Sequence, residues 1–141
     1  MYRAGRHVDP EFEDDELLYN RCQALHVAEQ RLLPTGIKFP DWSVNRSKYS
    51  EPDDVLIPTY LDWGIVEFQV DSVPKKLESL GNVVFEFKVE HDPVDDNYSH
   101  SEVRTYKEGI HHKNVEVNKT VKKQFRQMLS DRTRLIRSPK S

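Results

Sequence analysis

The stretch from His100 to Thr105, HSEVRT, is where this sequence comes nearest to chemistry. Read as an extended strand, it sends His100, Glu102 and Arg104 to one side and Ser101, Val103 and Thr105 to the other, because successive side chains of a strand alternate. Alternate residues on one face stand roughly 6.5–7 Å apart. A histidine exchanges a proton near neutral pH, a carboxylate beside it favours its charged form, and an arginine grips a phosphate or carboxylate at two points. The row is therefore a metal-free kit for phosphodiester cleavage. His100 would be the acid or base, Glu102 would orient it, and Arg104 and Arg46 would clamp phosphate. The same row also reads as the wet face of an edge strand whose charges pair with one another.

Other residues carry weaker signals. Arg46 and Tyr49, in SVNRSKYS, follow an extended piece and precede a helix start, a place where anions bind. Alternatively, Arg46 caps the sheet edge and Tyr49 packs in the core. His91, Asp92, Asp95, Asp96, His100 and Glu102 fall within twelve residues. Their imidazoles and carboxylates suit zinc, iron or manganese. No spacing matches an HExxH helix or an EF-hand loop, and Asp and Asn are also turn formers, so no metal is assigned. No cofactor motif is present. His111 and His112 follow with Lys107 and Lys113. Cys22 sits on the apolar side of its segment and reads as a core residue, with His26 too weak a partner for a nucleophile.

A final helix, roughly 119–131 with Asn118 as its cap, places Lys119, Lys122, Lys123 and Arg126 at i, i+3, i+4 and i+7. That is one basic stripe, with Val121, Phe125, Met128 and Leu129 opposite. Like charges at such spacings cost a few tenths of a kcal/mol per pair unless something neutralises them. Phosphates would do so, without reading sequence. So would the acids of the N-terminal half.

The elements that must position these residues are read as follows. Residues 14–33, DDELLYNRCQALHVAEQRLL, predict a helix with acids in its first turn and Leu17, Leu18, Cys22, Leu25, Ala28 and Leu32 toward the core. Short helices are expected after Ser50 and after Ser72. GIVEFQV (64–70) and VVFEFKVE (83–90) alternate as half-buried strands, and TRLIR supplies a short terminal one. The fold class expected is α+β: a small, mainly antiparallel sheet with an N-terminal helix, short connecting helices and a C-terminal amphipathic helix. The expected organisation is an acidic, loose arm over residues 1–13, a single domain over 14–137, and a frayed tail over 138–141.

The net charge of −3 conceals a split. Residues 1–103 hold 10 Lys/Arg and 21 Asp/Glu, a balance of −11, whereas residues 104–141 hold 11 and 3, a balance of +8. Either the halves attract each other within one fold, or the basic part serves an acidic partner. One cysteine excludes an internal disulfide. No apolar run reaches bilayer length and the N-terminus lacks a signal-peptide core, so a cytoplasmic protein without a membrane partner is expected.

Three stretches, LLYNRC (17–22), WSVNRSKYSEPDDVL (42–56) and HDPVDDNYSHSEV (91–103), resemble a dispersed group of short bacterial proteins. The matching positions are Tyr19, Arg21, Ser43, Arg46, Pro52, Pro93, Asn97, His100 and Glu102. The resemblance implies a bacterial source and a meeting of Arg21, Arg46 and His100, and it carries no established activity. Two functions follow from the residues. One is a non-catalytic module docking an acidic partner, RNA, DNA or an acidic protein, through the basic helix with Arg21 and Tyr49 as further binding residues. The other is a metal-independent nuclease or phosphodiesterase, of the kind used as a toxin-like or defence-associated effector. The sequence leaves oligomeric state open.

Overall fold

A computed structural model describes residues 7–56, 60–79, 81–108, 110–111 and 116–140. The first six residues of the expected acidic arm, His112, Lys113 and the last residue of the tail lie outside them. The fold is largely β, with one α-helix among the described residues, and this corrects the expectation of an α+β domain opened by a helix. The strands are β1 (Leu17–Cys22), β2 (Val27–Ala28), β3 (Arg31–Leu32), β4 (Asp41–Arg46), β5 (Gly64–Gln69), β6 (Lys76–Glu78), β7 (Val84–His91), β8 (His100–Lys107), β9 (Ile110–His111) and β10 (Arg134–Arg137). The helix α1 spans Lys119–Ser130, and Asn118 caps it by accepting from the Val121 N–H at 2.9 Å.

The main sheet runs β10-β5-β1-β4-β8-β7-β6, with β9 attached to β8. The named pairings in it are antiparallel, and the path curls into a half-barrel. Its inner face carries Leu18, Trp42, Val44, Val66, Phe68, Phe85, Phe87 and Val103, and the stripe Val121, Phe125 and Leu129 of α1 packs onto it. Phe125 meets Phe87 at 4.4 Å and Phe39 at 5.2 Å between ring centroids. Met128, expected on that stripe, is instead exposed. Half of the outer face is also covered: Tyr19 and Ile65 pack with Val55, Leu56, Tyr60, Trp63 and Ile136.

The segment expected to be a helix is β1, a single 3-10 turn (Ala24–His26) and the β2–β3 hairpin. β1 lies inside the sheet between β5 and β4, and both its faces are buried, Leu18 and Cys22 inward and Tyr19 outward. A strand buried on both faces has no polar alternation, so its apolar residues satisfy a helical period equally well. Leu25, expected in the core, is 68% exposed. The short helices expected after Ser50 and Ser72 are likewise replaced. The first is a 3-10 turn over Pro52–Val55 with a reciprocal capping box between Glu51 and Asp54. The second gives way to β6, after a 3-10 turn at Val70–Ser72.

Glu29 and Gln30 join β2 to β3 with φ of 53° and 64°. Two consecutive left-handed residues are what a two-residue hairpin of this hand requires, and Asn-Gly is the usual solution. Gln30 is exposed, and its carbonyl accepts from the Leu135 N–H at 2.8 Å, a bond any residue can make. Gln30→Gly should therefore stabilise the protein by about 1 kcal/mol, read as a rise in denaturant midpoint at unchanged slope.

Candidate functional site

The alternation of β8 holds. His100, Glu102 and Arg104 stand on the outer sheet face, in the part that Val55, Leu56, Tyr60 and Trp63 leave open. Their neighbours come from β4 and β7: Asn45 opposes His100, Ser43 and Glu90 oppose Glu102, and Asp41 and Lys88 oppose Arg104. Arg104 donates to Glu102, Glu90 and Asp92, each at 2.9 Å. Burial alone would lower its pKa, but these three carboxylates outweigh it and raise it. The Tyr106 hydroxyl donates to Glu90 at 2.6 Å, and burial together with that carboxylate pushes its pKa up to about 12. One guanidinium among three carboxylates leaves a local surplus of negative charge, which repels phosphate.

His100 is oriented by a backbone group and not by Glu102. Its Nδ1 lies 2.8 Å from the Asp92 carbonyl, which fixes the proton there, and its Nε2 lies 3.3 Å from the Ser43 hydroxyl. Glu102 is occupied by Arg104. His91 opposes Ser101 in the ladder and so sits on the inner face, away from His100. The sequence cluster considered for a metal is thereby divided between two faces. Among the described residues no three His, Cys, Asp or Glu side chains are placed to hold a metal ion.

Arg46 faces inward. Asn45, its neighbour in β4, opposes His100, so Arg46 and His100 project from opposite sides of the sheet. Arg46 is fully buried. Glu16 accepts from its Nε and Nη2 at 2.9 Å each, and the carbonyls of Asp9 and Glu11 accept at 2.8 and 2.5 Å. The Phe12 ring lies 3.8 Å from its guanidinium carbon. Tyr49 donates to the Asp9 carboxylate, which Lys48 also contacts at 2.8 Å. The hydrogen bonds from Lys48 and Tyr49 hold the Asp9 carboxyl well below the usual carboxylate range. Arg46 and Tyr49 thus bind an anion belonging to the chain itself.

Arg21 lies on the outer face of β1, with Ile65 opposite. Since β4 separates β1 from β8 and has already parted from β1 at this point, it stands farther than two regular strand spacings, more than about 9–10 Å, from the His100 row. Its guanidinium sits 4.2 Å from the Tyr60 ring centre and donates to the Val55 carbonyl at 3.2 Å. The three candidate guanidinium groups and the imidazole are therefore distributed over two faces and three strands. Cys22 is buried in the core, and burial pushes its thiol up to about 11, so it stays protonated.

On α1, Arg126 turns onto the loop before β4 and donates twice to the Ile37 carbonyl, at 3.1 and 2.9 Å. Lys119 and Lys123 are exposed and Lys122 is half-buried, and none of the three enters an ion pair among the described residues. Most other cations of the basic half are engaged. Arg134 pairs with Glu67, Arg137 with Asp53 at 3.1 Å, Lys140 with Asp62 at 3.9 Å, and Arg132 donates to the Ser72 carbonyl. The charge split of the sequence is thus largely consumed inside the fold, and among the described residues of the basic half the lysines of α1 and Lys107 at the end of β8 are what remains.

Sequence reading missed a cleft of about 360 Å³ at the parting of β1 and β4, walled by Trp42, Tyr60 and Trp63 with Asn20, Arg21 and Lys38. Aromatic enrichment in DWSV and YLDW was the available signal, but only the sheet order brings the two stretches together. No family model, no curated protein and no solved structure matches this chain. Its function is therefore read from geometry.

Removing Arg46 would leave Glu16, itself nearly buried, without its partner. Arg46→Ala should cost about 3–5 kcal/mol by denaturant unfolding, and Arg46→Met combined with Glu16→Gln less than the two single losses together.

His91 gives the pH prediction. Its Nδ1 accepts from the Asp9 N–H at 2.9 Å, and its Nε2 donates to the Tyr98 carbonyl at 2.7 Å, so the folded state needs it neutral. Burial lowers its pKa from the ordinary 6.5. Below that value the unfolded chain takes up a proton that the folded one refuses. The stability His91 contributes is complete above about 6.5 and declines as pH falls toward its folded value. His26, lowered by burial and by Lys38, acts in the same direction. Between about pH 7.5 and pH 5 the wild type should lose stability, and His91→Gln, which can accept and donate in the same places, should lose less.

Proposed function

We propose that this protein is a non-catalytic binding module that docks an acidic partner through the solvent-facing lysines of α1. The observation that carries this reading is the contrast between Lys119, Lys122 and Lys123, which have no ion-pair partner among the described residues, and Arg104, Arg134 and Arg137, which are paired within the fold. The Val121–Phe125–Leu129 stripe fixes the roll of the helix, so the lysines project together. From Lys119 to Lys123 the axis advances about 6 Å, a compact patch of three charges. Such a patch suits a nucleic-acid backbone, which contributes affinity without sequence choice.

The phosphodiesterase alternative draws less support. It needs Arg46 and Arg104 as free clamps, and both already hold carboxylates.

Replacing the three lysines relieves like-charge repulsion and should leave the fold intact. Each lysine that meets a phosphate adds about 0.9 to the slope of log affinity against log salt. The variant Lys119→Gln/Lys122→Gln/Lys123→Gln should bind RNA or DNA at least about tenfold more weakly at moderate salt, with a slope smaller by about 2–3. Equal affinity and slope in the two proteins would overturn the reading. Poly-glutamate binding as tightly as nucleic acid would redirect it to an acidic protein.

A further inference from the structure

β1 and β4 pair only at Leu18–Arg46 and Tyr19–Asn45. Beyond that point β1 continues along β5 as far as Cys22–Gly64, while β4 continues along β8 as far as Asp41–Arg104. The sheet therefore opens between two strands that are each held by their other neighbour. Asn20 bridges the opening, its Nδ2 donating to the Ser43 carbonyl at 3.0 Å in place of a ladder bond. The space beyond it is the cleft of about 360 Å³, at the small end of the range for organic ligands.

Four features of this cleft point to one class of ligand. First, its walls are aromatic and braced. The Trp42 ring lies parallel to Phe68 at 5.4 Å, and Trp63 meets Tyr60 edge-on at 4.7 Å. Second, it holds an unpartnered hydrogen-bond acceptor and an unpartnered donor. Asn20 and Trp42 are more than nine-tenths buried, yet among the described residues the Asn20 Oδ1 and the Trp42 Nε1–H make no hydrogen bond. Neither is sealed, since among the described residues the buried side-chain polar atom without a partner is the Nε of Arg31. Both are thus reached from the cleft that their residues line. Third, Arg21 uses one N–H on the Val55 carbonyl and stacks on Tyr60, but it has no carboxylate partner among the described residues. Fourth, Lys38 is exposed on the same wall. Asp41, the one acid there among the described residues, already has an interaction of its own.

We propose that this cleft binds a planar heteroaromatic ring carrying a single anionic group, of which a nucleoside monophosphate is the form that uses every feature. The ring lies against the Trp42 and Trp63 walls. An exocyclic N–H donates to the Asn20 Oδ1, and a ring nitrogen or carbonyl accepts from the Trp42 Nε1–H. The phosphate takes the unused N–H groups of Arg21 and the Lys38 ammonium. The volume leaves no room for a dinucleotide. This site is separate from the α1 lysines and does not depend on them.

Both tryptophans of the chain line the cleft, so intrinsic fluorescence reports occupancy directly. The 141-residue protein is titrated with AMP, GMP, CMP and UMP, with the matching nucleosides, with a non-fluorescent heteroaromatic carboxylate (nicotinate) and with inorganic phosphate. At least one nucleotide should change tryptophan emission saturably below about 1 mM, with its nucleoside and phosphate at least about tenfold weaker. Nicotinate binding as tightly as the best nucleotide would keep the ring-and-anion class and overturn the nucleotide assignment. Arg21→Gln should weaken binding about tenfold. Should that variant fail to fold, Lys38→Gln, at an exposed position, reads the same anion dependence. The triple lysine variant of α1 should bind unchanged, which separates this site from the docking surface. No saturable change with any of these compounds up to about 10 mM, or nucleosides binding as well as nucleotides, would overturn the proposal.

Discussion

The interaction on which the architecture depends is the burial of one charge. Arg46 brings a guanidinium into the inner face of a sheet, where an unpaired cation would be costly. Glu16 supplies the countercharge and two carbonyls take further N–H groups, all from the segment that precedes β1. That segment is therefore bound to the sheet by electrostatic need more than by apolar area. Its position then dictates others: Asp9 carries Lys48 and Tyr49, its N–H reaches His91, and His91 in turn holds the turn before β8 through Tyr98. One end of the inner face is thus a polar network of defined geometry, while the other is filled by the rings of Phe39, Phe87 and Phe125.

The legible parts of the sequence were those where one local pattern had one solution. β7 and β8 have one face inward and one in water along much of their length, so their alternation gave both the element and the face of His100, Glu102 and Arg104. α1 was legible from its cap and its stripe. β1 was not, because burial on both sides removes the polar half of the pattern. The β2–β3 hairpin was not, because its turn is made by Glu29 and Gln30 and not by the residues that favour it.

The candidate site was less legible for a related reason. Alternation tells which way a side chain points but not what it meets. Beyond Glu102 on its own strand, the partners of Arg104 come from β7 and the loop after it, those of His100 from β4 and the loop after β7, and those of Arg46 from residues 9–16. Each is a non-local choice made by the order of strands. The charge split shows the same limit. A balance of −11 against +8 announces that the halves attract, and the pairs Arg134–Glu67 and Arg137–Asp53 are how they do it. Which cations remain unmatched emerges only when each pair is located in space.

The strand order also has a consequence for how the chain is made. β1 is hydrogen-bonded to β4 and β5, both of which follow it closely, so a partial sheet can assemble early. The element that covers its inner face, α1, and the strand that completes its edge, β10, come last. During synthesis from the N-terminus, Trp42, Phe68, Phe85 and Phe87 are therefore left facing water until residues 119–130 emerge. A nascent chain in that state is a sticky half-shell, and the interval before its lid arrives is when it is most open to capture by chaperones or by its own kind.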